Sequence, residues 1–212
     1  MVCLEQGLWW DVWPDGPDQR AARAVAISYA KELWDGDEAA TVGLAVDDSA
    51  NRQCVETELA TVASVRAFHE ALFTRFGPEA SHLDPYYDLG MSSSCSDSAR
   101  LPRLAVRIDG DSAIICERGS EPGDEDPIYE LNRVGGVWRV WEVSRDTDIL
   151  TKEMQVGMAE GEKALAEARQ QVAREVAAGK YRTAQEAKTN LRKALLRISS
   201  GDSSHQKPPM NQ

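Results

Sequence analysis

Two strand–turn–strand patterns lie back to back in the middle of the chain and constrain its fold more than any other feature. Each has two segments rich in β-branched and aromatic residues joined by a short turn that contains glycine. The segments are 104–108 and 112–116 around Asp109-Gly110-Asp111, then 128–134 and 137–143 around Gly135-Gly136. Such turns between β-rich segments are typical of hairpins. The sequence therefore predicts an antiparallel meander.

Helical patterns precede and follow the hairpins. Before them, helices are predicted from Pro17 or Asp18 to about Asp35, from a cap at Asp37 through Val46, and from about Arg52 to Phe76. The apolar stripe predicted for the third helix consists of Val55, Leu59, Val62, Val65, Leu72, Phe73 and Phe76, and it includes His69. After them, the helical period returns over 148–179, and Thr183 with Glu186 forms a capping box for a last helix ending near Ile198.

This order divides the chain into four parts and predicts an α+β fold. We expect residues 1–17 to form an irregular segment with three tryptophans, and 18–146 to form a domain in which a curved antiparallel sheet wraps around the N-terminal helices. Residues 147–199 are predicted to form a C-terminal helical hairpin, and 200–212 a disordered tail. A curved sheet wrapped around helices usually encloses a pocket.

Charge is distributed unevenly along the chain. Residues 1–149 contain 13 Lys and Arg against 28 Asp and Glu, whereas residues 150–200 contain 10 against 6. Nucleic-acid binding needs a basic footprint, so we expect no nucleic-acid partner. The basic segment is instead suited to attract the acidic body, within one chain or between two.

The hydropathy of the sequence predicts no membrane-spanning helix. No apolar run approaches the ~20 residues that a membrane-spanning helix needs, so we expect no membrane partner. The first ten residues lack the basic and apolar regions of a secretory signal, so we expect a cytoplasmic location.

Four stretches resemble the NTF2-like (SnoaL-like) superfamily: 30–39 (AKELWDGDEA), 65–69 (VRAFH), 106–113 (VRIDGDSA) and 131–140 (LNRVGGVWRV). The stretch 178–187 (AGKYRTAQEA) is similar to a helical hairpin that follows the sheet in a group of bacterial members of that superfamily. The resemblance implies a cone-shaped sheet with a pocket between its concave face and the helices. Residues expected to line that pocket are Tyr29, His69, Tyr129, Trp138 and Glu142.

The position of Glu142 depends on which side of the last strand faces inward. Val137, Arg139, Trp141 and Val143 form one row of that strand, and Trp138, Val140 and Glu142 form the other. If the second row faces the cavity, Glu142 is a buried carboxylate; if the first does, Glu142 is a surface charge.

Three functions are compatible with these features, because members of the superfamily range from isomerases and dehydratases to domains without activity. The favoured hypothesis is a non-catalytic protein that binds a small apolar ligand or a partner. One alternative is a proton-transfer enzyme of the isomerase or dehydratase type, with His69 as acid or base and Tyr29 as polarising donor. Another is an oligomerisation or scaffold protein that forms a homodimer through the helical hairpin. The sequence contains no phosphate-binding, metal or hydrolase motif, so we expect no cofactor and no metal.

Overall fold

The computed structural model describes residues 15–82, 101–116, 128–141 and 152–200, and every structural statement below concerns these residues. They contain five α-helices and four β-strands. The helices are α1 (Pro17–Asp35), α2 (Glu38–Leu44), α3 (Ser49–Phe76), α4 (Lys152–Ala177) and α5 (Ala184–Ser199), and the strands are β1 (Ala105–Asp109), β2 (Ser112–Cys116), β3 (Tyr129–Val134) and β4 (Val137–Trp141). The predicted α+β class is confirmed. Most of the N-terminal segment, nearly all of the tail and the expected domain boundary at 146–147 lie outside the described residues.

The strands form an open antiparallel sheet in the order β1-β2-β3-β4, which confirms the meander. The β3–β4 turn is built by Gly135 and Gly136, whose φ angles of 59° and 81° are those of the tight hairpin turn that the glycine pair predicts. Because side chains alternate along a strand, the register assigns one face to the core. That face carries Val106, Ile108, Ala113, Ile115, Tyr129, Leu131, Trp138 and Val140.

The described elements belong to two compact units. The first contains α1, α2, α3 as far as Val62, and the sheet. The second contains the rest of α3 from Ala63, together with α4 and α5.

In the first unit, α1 packs against α2 and against strands β1 and β4. Its buried face consists of Ala22, Arg23, Ala26, Tyr29, Ala30 and Leu33, which recur at helical spacing. These side chains join those of the inward sheet face in one hydrophobic core, completed by Ala45, Val55, Val62 and Leu104. The core therefore lies between the N-terminal helices and one face of the sheet.

Helix side chains and one backbone amide donate hydrogen bonds to carbonyls at both outer edges of the sheet. The Gln19 amide donates to the Val106 carbonyl at 2.8 Å, and the Arg23 guanidinium donates to the Leu104 carbonyl at 2.8 Å. At the opposite edge, the Val140 carbonyl accepts from the Val46 amide at 2.9 Å and from the Asn51 side chain at 3.2 Å.

The second unit is helical. Helix α4 packs against α5, and Gly179 ends α4 with a φ of 75°, where its amide donates to the Val176 carbonyl at 2.9 Å. The Thr183 cap predicted for α5 is confirmed, because the Thr183 hydroxyl accepts from the Glu186 amide at 3.1 Å. The reciprocal bond of the predicted capping box is different, since the Glu186 carboxylate accepts from the Arg182 amide at 2.9 Å. The buried side chains of this unit are Ser64, Val65, Phe68, Leu72, Ala166, Arg169, Val172, Ala173, Val176, Tyr181, Ala187, Leu191 and Leu195.

The apolar stripe predicted along α3 is wrong in its last turns. Phe73 is 50% exposed, and Phe68, which the prediction omitted, is fully buried. Val55 and Val62 belong to the core of the first unit, whereas Val65 and Leu72 are buried in the second. A single stripe does not describe the helix because its two halves serve different cores.

Candidate binding surfaces

Three of the five predicted pocket residues lie together in the core of the first unit. Tyr29 on α1, Tyr129 on β3 and Trp138 on β4 are all buried there. The rings of Tyr29 and Tyr129 meet edge to face, with their centroids 5.9 Å apart. Their phenol oxygens are shielded from solvent, so the pair places two polar groups inside the core.

Trp138 connects the core to an ion pair at the start of α1. Its indole Nε1 donates to the Asp18 carboxylate at 2.9 Å, and the Arg133 guanidinium donates to the same carboxylate. The Arg133 guanidinium also lies 4.4 Å from the centre of the Trp138 ring, within cation–π range. The hydrogen bond from Trp138, and after it the contact with Arg133, lowers the pKa of Asp18 from its ordinary value. This cluster fixes α1 on the sheet, and the sequence analysis missed it.

The other two predicted pocket residues do not join this group in the described structure. His69 is half-buried in the part of α3 that belongs to the second unit. Glu142 lies outside the described residues. The burial of the residues before it shows which row of β4 faces inward, because Trp138 and Val140 are buried while Val137 is exposed. The row containing Trp138 is therefore the inward one.

A second polar cluster lies at the turn between α4 and α5. The Tyr181 hydroxyl donates to the Glu175 carboxylate, and the Lys180 ammonium lies 2.7 Å from the same group. These contacts, with Lys180 first, lower the pKa of Glu175 to about 2. Burial, followed by the neighbouring Glu175, raises the pKa of the Tyr181 phenol well above its usual range. The cluster supports the turn of the hairpin.

The side of α5 opposite its buried residues presents an apolar side chain among cations. Leu196 is 63% exposed, and Arg192, Lys193 and Arg197 are exposed beside it at positions −4, −3 and +1. We call these four residues the outward face of α5. This face therefore combines one exposed apolar side chain with three cations, which are the groups that a helix can offer to an acidic, partly apolar partner.

The junction of α1 and α2 presents the opposite combination. Trp34 is 38% exposed, and the carboxylates of Asp35, Asp37 and Glu38 follow it on exposed positions. We call these four residues the acidic corner. Asp35 also pairs with Lys31 at 2.9 Å, and Asp37 caps α2 by accepting from the Ala40 amide at 2.9 Å. Two of the three carboxylates are therefore held by contacts with neighbouring residues, next in sequence to a partly exposed indole ring.

The sequence patterns predict neither surface. The charge balance predicts the basic character of the C-terminal segment, but a helical period reports which residues are apolar and not which of them stay exposed. Leu196 was detectable in principle, because it directly follows the buried Leu195 and lies outside the i, i+4 spacing of Ala187, Leu191 and Leu195.

Within the described residues, no helix is both long and apolar enough to cross a lipid bilayer. The same part of the chain contains no group of three or more His, Cys, Asp or Glu side chains placed to hold a metal ion. Comparison with protein-family models, with curated proteins and with solved structures gives no match.

Proposed function

We propose that this chain is a non-catalytic, NTF2-like partner-binding protein that docks an acidic partner on the outward face of α5. The exposure of Leu196 between Arg192, Lys193 and Arg197 carries the proposal. An apolar centre supplies the hydrophobic contribution to binding, while surrounding cations steer an acidic surface towards it and set its orientation. The NTF2-like cone rests on the sequence resemblance and on a four-stranded antiparallel meander that packs one face against helices.

The proposal is tested with a fluorescein-labelled synthetic amphipathic peptide of leucine and glutamate, titrated with the full-length protein and followed by anisotropy. Leu196→Ser is expected to weaken binding about tenfold, because it removes the apolar centre while keeping every charge. Phe73→Ser is the matched control, since it removes another exposed apolar side chain from the same unit but outside α5. Equal affinities for wild type and Leu196→Ser would contradict the proposal.

The charged part of the surface has its own matched pair of variants. Lys193→Gln and Lys163→Gln each remove one exposed positive charge, the first from the outward face of α5 and the second from α4. Lys193→Gln should weaken peptide binding more than Lys163→Gln at low salt, and the difference should shrink as salt is added. If the two variants weaken binding equally, only net charge matters and the docking site is elsewhere.

A small apolar ligand with one polar group is the second candidate function, and the buried tyrosine pair favours it. Two phenol oxygens in an apolar core are the kind of polar handles that orient a ligand. A thermal-shift screen against a metabolite library tests it, with Tyr29→Phe as the variant that removes one hydroxyl. A ligand that stabilises wild type and Tyr29→Phe equally would argue against contact with this pair. The proton-transfer hypothesis with His69 and Tyr29 stays a prediction.

A further inference from the structure

We propose that the acidic partner of the outward face of α5 is a second copy of this chain, bound through its acidic corner. This inference rests on the proposed function and names its partner. It accounts for two exposed surfaces of opposite charge, each with one exposed apolar side chain. Leu196 lies beside Arg192, Lys193 and Arg197 on one surface, and Trp34 precedes Asp35, Asp37 and Glu38 on the other.

The two surfaces are opposite in charge. Three cations lie beside Leu196, and three carboxylates follow Trp34, one of which, Asp35, also pairs with Lys31. Helix α5 contains four basic residues and a single acidic one, whereas the segment 34–38 contains no basic residue. Opposite potentials on facing surfaces select the partner and speed its approach, while like charges exclude wrong pairings. An α5-to-α5 contact would bring cations together, so the complementary pairing is the favourable one.

The two surfaces also match in the kind of side chains they contain. Tryptophan and arginine are the residues that most often dominate binding energy in protein interfaces. An arginine guanidinium stacks well on an indole ring, as Arg133 already does on Trp138 within the first unit. Leu196 and Trp34 supply the apolar area that a purely ionic contact between exposed side chains would lack.

The contact joins different surfaces of the two copies. Such a contact closes into a symmetric oligomer when the rotation between copies allows it, and otherwise grows into larger assemblies. In both cases self-association depends on concentration and weakens with salt. Sedimentation velocity of the full-length protein, over a range of concentrations and at low and high salt, measures both dependences.

Charge reversal on one surface at a time provides the decisive test. The first variant carries Lys193→Glu and Arg197→Glu on α5, and the second carries Asp35→Lys and Glu38→Lys in the acidic corner. Each should weaken self-association by about tenfold or more, because like charges then face each other. A one-to-one mixture of the two variants should restore it, since each reversed surface meets its complement. Lys163→Glu with Glu160→Lys, both on α4, is the control and should leave self-association unchanged.

Four results would overturn the proposal. The wild-type protein could stay monomeric at every concentration, or self-association could survive either double reversal. The mixture of the two variants could stay monomeric, or α5 could bind anionic lipid vesicles or RNA in place of a second copy. If circular dichroism shows that a double reversal unfolds the protein, Leu196→Ser and Trp34→Ser replace it and must each weaken self-association. If self-association fails these tests but the protein still binds the acidic peptide, the proposed function stands. If the wild-type protein does not bind the peptide, both proposals are wrong.

Discussion

Glu175 at the end of α4 is a carboxylate whose pKa is strongly lowered by its neighbours. Lys180 and Tyr181 both bind it, and its pKa falls from 4.5 to about 2. A carboxyl group with a lowered pKa in the folded state stabilises the protein above its unfolded pKa. That stabilisation is fully present above about pH 4.5 and is lost as the pH falls towards 2.

Glu175→Gln should therefore lower the free energy of unfolding by about 1–2 kcal/mol at neutral pH, because the ion pair with Lys180 is lost and the hydrogen bond from Tyr181 becomes a neutral one. The deficit relative to wild type should shrink as the pH falls below about 4.5. Urea denaturation followed by circular dichroism at neutral and acidic pH measures this.

Glu162→Gln is the control for that experiment, because it removes an exposed carboxylate from the same helix. It should change stability by less than about 0.5 kcal/mol. A deficit for Glu175→Gln that stays constant between neutral and acidic pH would show that the ion pair does not stabilise the turn.

At the scale of elements, the turn after α4 depends on a backbone conformation that only glycine adopts easily. Gly179 has a φ of 75°, and a Cβ there would lie 3.4 Å from the end of the Arg75 side chain. Gly179→Ala should lower stability by about 1–2 kcal/mol, mostly from the left-handed backbone, because the Arg75 side chain can move. Thermal or urea unfolding checks it.

Gly43 in the last turn of α2 offers the opposite case with the same substitution. A Cβ at Gly43 would meet nothing within 4 Å, and its φ is not positive. Gly43→Ala should therefore raise stability by about 0.5–1 kcal/mol. Similar losses at both glycines would contradict the backbone argument.

Leu131 and Val134 lie on opposite faces of strand β3, so substitutions at these two positions should differ in their cost to stability. Leu131 points into the core and is fully buried, whereas Val134 lies near the Gly135-Gly136 turn and is half exposed. Leu131→Ala should cost about 2–5 kcal/mol, and Val134→Ala less than about 1 kcal/mol. A shift of register by one residue would exchange the two faces, so a larger loss at Val134 would contradict the strand pairing.

The elements with local signals were predictable from the sequence. The hairpin turns, the start of α1 at Pro17, the Asp37 and Thr183 caps and the ends of α3 and α5 depend on residues within a few positions of each other. Turn and cap chemistry acts over that range, so a single sequence contains it.

The contacts that fix α1 on the sheet could not be predicted in the same way. Gln19 and Val106 are 87 positions apart, and Asp18 and Trp138 are 120 positions apart. Neither pair leaves a periodic signal. The burial of Phe68 and the exposure of Phe73 depend on which elements surround the second half of α3, and hydropathy along one helix does not contain that information.

At the scale of the whole molecule, each of the two units has buried residues of its own. Leu131 belongs to the core of the first unit, and Leu191 on α5 is fully buried in the second. Units with separate cores open with separate free energies. A core substitution should therefore increase local unfolding of its own unit more than that of the other unit.

Hydrogen exchange tests this independence. Leu191→Ala should speed exchange in α4 and α5 by about tenfold or more, while the amides of β2 and β3 keep most of their protection. Leu131→Ala should have the reverse effect. Equal acceleration of all elements by either variant would show that the protein unfolds as one cooperative unit.

The side chains that donate hydrogen bonds to the outer strands affect whether another copy of this protein can pair with its sheet. The outer strand of a sheet is a template on which another chain can add a strand, and such growth leads to fibrous aggregates. Here the Val106 carbonyl on β1 and the Val140 carbonyl on β4 already accept hydrogen bonds from the protein's own side chains and backbone. A strand from a neighbour would first have to displace Gln19 or Asn51. Addition of a strand at these two positions is therefore disfavoured.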